Sequence, residues 1–260
     1  MYSSFDLKKI LIVLLIFFML QSLASSIDVM SLLLTLPGLI LGLTVHEFSH
    51  AKMADRLGDP TPGRQGRLTL NPVAHMDPVG MICLIFAKFG WGKPVQIDPT
   101  YFRNPSRDNM LVALAGPISN LILAFILFLI FPFAFYFFMP GNSAMNEILY
   151  MMILYAASIN LSLFAFNLLP FPPLDGSKIL AYFLKGKARE FLWTLERYSM
   201  IIIAILFVTN IPAMIIGPIV NGIGNFMLRN IAKINMDAYV ENIENKGKIR
   251  YVKGYTMFRN

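Results

Sequence analysis

The chain has 260 residues, of which 56% are hydrophobic and only 14% charged, and its mean hydropathy is +0.61. These values exclude an ordinary soluble globular domain and indicate a polytopic membrane protein. The net charge of +7 would suit a nucleic-acid binder, but the positions of the basic residues argue for membrane topology instead.

Apolar stretches long enough to cross a hydrocarbon core of about 30 Å occur at about residues 10–24, 29–51, 110–139, 148–169, 192–208 and 211–228. The expected fold is therefore an all-α polytopic membrane protein with about six transmembrane helices. The first stretch follows Lys8-Lys9 and ends at Leu23-Ala24-Ser25, so a cleaved signal peptide is the alternative to a retained helix. Retention is expected, and either outcome leaves Asp28 on the far side. With six alternating spans, the far-side loops near residues 25–28, 140–147 and 210–212 contain none of the 22 Lys and Arg residues. That asymmetry assigns both termini and the basic loops to the cytosol, and the charge then serves contact with anionic lipid headgroups rather than nucleic acid.

The second stretch runs inward and carries His46-Glu47-Phe48-Ser49-His50 at its cytosolic end. Residues four apart share one helix face, so His46 and His50 can offer two imidazoles to one zinc ion. Glu47 beside them is a candidate catalytic base for water activated by the metal. From Val29 to Val45 the helix rises about 25 Å, and Lys52 and Arg56 follow as interfacial residues. This spacing predicts a site in the cytosolic third of the bilayer. Pro37-Gly38 above it is either a kink or a packing contact.

Residues 58–108 are rich in Pro and Gly and contain no stretch able to span. Arg67-Leu68-Thr69-Leu70 and Pro94-Val95-Gln96-Ile97 read as short strands, and residues 81–89 are apolar but short. A re-entrant loop or small β-sheet is expected here, between the second and third spans and against the active-site helix. It could pair with an extended substrate by adding a strand, or be a structural loop only. Cys83 is the only cysteine, which excludes an intrachain disulfide and a thiolate-rich zinc site.

The third span contains Gly116-Pro117-Ile118-Ser119-Asn120, where small residues permit close helix packing and the proline frees a carbonyl. Asn120 either bonds a neighbouring helix or holds a substrate backbone. The fourth span ends in Asn167-Leu168-Leu169-Pro170-Phe171-Pro172-Pro173-Leu174-Asp175-Gly176, whose prolines must break the helix on the cytosolic side. Two residues are candidates for a third zinc ligand: Asp175 at that break, and His75 in the loop. Lys178, Lys185, Lys187 and Arg189 suggest an interfacial segment, and the basic tail at about 230–260 suggests membrane-surface contact.

The motif from His46 to His50, the segment from Gly116 to Asn120 and the segment from Asn167 to Gly176, in that order, resemble the site-2 protease family of intramembrane zinc metalloproteases. The stretch Gly66-Arg67-Leu68-Thr69-Leu70-Asn71-Pro72, with Asp77-Pro78 and Gly92-Lys93-Pro94-Val95, is similar to its compact subgroup without PDZ or CBS domains. The resemblance covers about residues 30–190, the expected catalytic core of a single membrane-embedded protease domain over residues 1–260. It implies that His46, His50 and Asp175 bind one zinc ion, that Glu47 is the catalytic base, and that Asn120 and Asn167 contact substrate or steady the reacting carbonyl.

The expected activity is hydrolysis of peptide bonds within or next to transmembrane segments of other membrane proteins, near the cytosolic face of the cell membrane. A membrane-anchored quality-control zinc protease is an alternative, opposed by the apolar run immediately before His46. A metal transporter with His and Asp as transit ligands is another, though it has no use for Glu47.

Overall fold

Three long apolar helices dominate the structure, a computed structural model describing residues 29–87, 90–138, 144–208 and 211–231. In chain order the elements are α1 (Val29–Arg56), α2 (Thr61–Arg64), a 3-10 turn at Pro72–His75, α3 (Pro78–Ala87), a second 3-10 turn at Pro99–Tyr101, α4 (Pro105–Phe138), α5 (Ala144–Asn167), α6 (Asp175–Phe183), α7 (Lys187–Glu196), α8 (Ser199–Val208), α9 (Ile211–Phe226) and a π-helical turn at Met227–Ile231. Among the described residues, Leu32–Arg56, Pro105–Ala134 and Ile148–Asn167 are long and apolar enough to cross a membrane. They correspond to the second, third and fourth stretches of the sequence.

The described residues thus carry three candidate spans rather than six. The first predicted stretch and the basic tail lie outside them. The fifth is divided between α7 and α8 by a turn at Arg197 and Tyr198. Lys187, Arg189, Glu190 and Glu196 make α7 too polar for hydrocarbon, and α8, with 10 residues, reaches only about 15 Å.

Helices α1, α4 and α5 pack around a core that includes Leu34, Phe128, Phe131, Tyr150, Leu154 and Leu161, and Val220 of α9 and Leu228 join it. Phe131 and Tyr150 stack with ring centroids 4.4 Å apart. Gly38 of α1 lies against Ala156 of α5 so closely that an added Cβ would sit 2.7 Å from the Ala156 methyl. Pro37-Gly38 therefore serves a close helix crossing. The opposite face of α4 exposes Ile122, Ile126, Leu129 and Phe133, the outward apolar surface expected of a helix solvated by lipid.

No sheet forms among the described residues. The loop between α1 and α4 holds one isolated antiparallel bridge, Met76 to Gly92, supported by Lys93 N–H donating to His75 O at 2.8 Å. Neither predicted strand is one. Proline removes ladder donors at 72, 94 and 99, while the Asn71 and Asp98 side chains cap the two 3-10 turns instead. Residues 93–98 remain as irregular chain without a ladder partner, and the apolar run after Pro78 forms the helix α3. The buried Arg67 guanidinium ties the loop together by donating to Ala74 O and, at 3.5 Å, to Lys93 O.

Asn104 and Pro105 set the start of α4. The Asn104 side chain accepts from Arg107 N–H at 3.3 Å and the buried Asp108 carboxylate accepts from Asn104 N–H at 3.0 Å, a reciprocal cap with proline in the first helical turn. Phe102, Ala54 and Val112 form a second small core that seats the loop on the end of α1. The chain then returns through α5 to the Pro-rich break, and α6 begins at Asp175.

Candidate active site

One turn of α1 presents His46 and His50 on the same face, their rings edge to face with centroids 4.5 Å apart. Asp175, in the first turn of α6, meets both: its Oδ2 lies 3.1 Å from each Nε2, and the two Nε2 atoms are 2.9 Å apart. All three side chains are buried. Gly176 makes the approach possible, because any Cβ there would run into the Leu168 and Leu169 carbonyls at the end of α5. The N-terminus of α6 also favours a negative charge at Asp175.

The outer hydrogen bonds decide what the cluster can hold. His50 Nδ1 lies 2.7 Å from the Val112 carbonyl, which can only accept, so the ring proton is on Nδ1. His46 Nδ1 lies 2.7 Å from Asn120 Oδ1. Asn120 Nδ2 in turn donates to Gly42 O at 3.0 Å and Asn160 Oδ1 at 2.9 Å, which fixes Oδ1 as the atom facing His46. In the neutral rings both Nε2 atoms therefore point lone pairs at a carboxylate oxygen. Three buried acceptors converging without a proton between them repel one another unless a cation joins them. Their separations of 2.9 to 3.1 Å approach the roughly 3.3 Å expected between N and O ligands of a tetrahedral zinc ion. The donor set, its spacing and its outer shell fit zinc, and among the described residues His46, His50 and Asp175 are the one group so arranged.

Gly116 of α4 is the floor beneath the imidazoles. An added Cβ would stand 2.5 Å from His50 Cε1 and 2.6 Å from His46 Cε1. Pro117 withholds the amide that the Ala113 carbonyl would otherwise meet, and the adjacent Val112 carbonyl is the one that receives His50.

Glu47, half-buried beside the cluster, is not part of it. Its Oε2 accepts from the Val95 amide at 3.0 Å. The loop that supplies Val95 is fixed a few residues on, where fully buried Asp59 accepts from Asp98 N–H at 2.7 Å and Thr61 N–H at 2.8 Å. The Thr100 hydroxyl, with help from its amide, holds the exposed Asp98 carboxyl below the usual carboxylate range. Lys178 stands 3.8 Å from Asp175 Oδ1, the oxygen not shared with the histidines.

The other sequence candidates fall elsewhere. His75 is buried in the loop, donating from Nε2 to Thr69 O at 2.8 Å, and is outside the ligand cluster. Asn120 has both amide hydrogens and its oxygen engaged inside the helix bundle, with the oxygen facing His46. Asn167 donates to Leu163 O of its own helix at 3.0 Å. Asn160 is the residue that sequence reading missed. A lone amide within an apolar span is the signal that could have found it.

The model of Peptidase family M50 matches residues 34–210. The chain is 40% identical over 183 residues to the Bacillus subtilis protein described as "Putative zinc metalloprotease YwhC", covering 70% of this chain and 84% of that protein. It is 31% identical to "Putative zinc metalloprotease Rip2" of Mycolicibacterium smegmatis over 68% of this chain and 67% of that protein. No solved structure matches the chain.

Proposed function

The chain belongs to peptidase family M50, the membrane-embedded site-2 family of zinc metalloproteases, and from that premise we propose that it cleaves peptide bonds within or next to transmembrane segments of other membrane proteins, near the cytosolic face. The observation that carries this reading is the convergence of His46, His50 and Asp175 at the end of an apolar helix, with Glu47 beside but outside the cluster. His46, His50 and Asp175 would hold the zinc ion. When bound, zinc supplies Lewis acidity, polarising a carbonyl oxygen and acidifying a water molecule. Glu47 would take a proton from the attacking water and pass it to the leaving amine. The Val95 amide aims the Glu47 carboxylate. Asn167, half-buried at the end of α5, is the candidate donor to the developing oxyanion.

We assign both termini and the basic loops to the cytosolic side of a cell membrane, on the strength of the Lys and Arg distribution. Residues 93–98 lie next to Glu47 through the Val95 amide, and an extended substrate can join them only at the backbone groups that His75, Arg67, Glu47 and Asp59 leave uncommitted. The substrates are thus transmembrane proteins whose helices unwind locally. Cleavage of a reconstituted membrane-helix substrate by wild type and Glu47→Gln tests the reading. Loss of cleavage with zinc retained is expected, and full activity in the variant would sink the mechanism.

A further inference from the structure

We propose that Asn160 is a positioning residue for zinc: it holds Asn120 in the amide orientation that keeps the His46 proton on Nδ1. The inference rests on the reading that His46 binds zinc, and extends it to a residue that touches neither substrate nor any ligand atom.

Asn160 and Asn120 are both fully buried. Asn160 Nδ2 donates to Ala156 O at 2.8 Å and Gly38 O at 3.2 Å. Both partners are carbonyls and can only accept, so the Asn160 oxygen must face Asn120. Asn120 Nδ2 meets that oxygen at 2.9 Å and the Gly42 carbonyl at 3.0 Å, which leaves its own oxygen for His46 Nδ1 at 2.7 Å. Were the Asn120 amide turned round, its NH2 would face His46 Nδ1. The ring proton would then move to Nε2 and occupy the position through which the ring binds a metal. Gly42 makes room for this chain of amides, since an added Cβ there would stand 2.6 Å from Asn160 Oδ1. Three helices thus contribute to one proton position: α5 through Asn160, α4 through Asn120 and α1 through His46.

The test is zinc affinity, measured by chelator competition on the full-length protein in detergent, with folding followed by thermal melting. Asn160→Leu should weaken zinc binding by up to roughly 10-fold, less than the loss of a partner bonded to the ligand itself, because the Gly42 carbonyl still accepts from Asn120. In an Asn120→Asp background the same substitution should cause no further loss, because a carboxylate presents an oxygen to His46 whichever way it turns. Unchanged affinity in Asn160→Leu, or an equal loss in both backgrounds, would overturn the inference. If Asn160→Leu does not fold, 15N-histidine NMR of the zinc-free wild type decides. His46 carrying its proton on Nδ1 at a pH where the ring is neutral supports the proposal, and a proton on Nε2 overturns it. A wild type that binds no zinc would instead defeat the metalloprotease assignment of the site, and this inference with it.

Discussion

Glu47 Oε2 accepts a hydrogen bond from the Val95 amide at 3.0 Å across a sequence separation of 48 residues. The carboxylate beside the histidines is therefore oriented by the loop between the first two described spans. A backbone donor of this kind persists through side-chain variation at position 95 and is lost only when the amide itself is lost. Val95→Pro removes it. Because hydrogen bonds to charged groups contribute about 1.5–3 kcal/mol, cleavage should slow by at least tenfold. Zinc content measured on the same preparation should stay at the wild-type level, since Val95 touches none of the ligands.

Asp175→Ala should abolish stoichiometric zinc, because it removes the only carboxylate among the converging acceptors. His75→Ala should retain it, because that imidazole bonds within its own loop. Metal analysis of the two purified variants separates the candidates, and retained zinc in Asp175→Ala would overturn the ligand assignment.

Gly116→Ala places a methyl against both imidazoles. Overpacking of this kind costs about 1–3 kcal/mol, and here the strain falls on the ligands themselves. The variant should show a lower Tm and a greater loss of zinc affinity than Gly222→Ala, where an added Cβ meets nothing within 4 Å. Equal zinc affinity in the two would contradict a tight floor beneath the cluster.

Removing zinc with a chelator should stop proteolysis and lower the Tm, with both restored by zinc. A ligand bound only by the folded state at a hundred times its Kd stabilises by about 2.7 kcal/mol. Thermal melting with and without chelator checks this, and a Tm insensitive to zinc would mean that the folded protein does not hold the ion.

Much of the site is visible in the amino-acid sequence because local geometry alone places it. A four-residue interval on a helix fixes His46 and His50 on one face, and the prolines after Asn167 must end α5 on the side from which Asp175 can return. Hydropathy likewise delimits α1, α4 and α5, since each must satisfy its own backbone hydrogen bonds in lipid. Tertiary structure decided the rest. Alternation of apolar residues suggested strands at 67–70 and 94–97, but a strand needs a partner edge, and side-chain caps and prolines claimed those backbone groups. Which acceptor joins the two histidines depends on long-range packing, through the close seat of Gly176 on the end of α5. The roles of Asn120 and Asn160 are set by which carbonyls they meet across three helices, and amide orientation is a property of that network, to which no interval along the chain gives access.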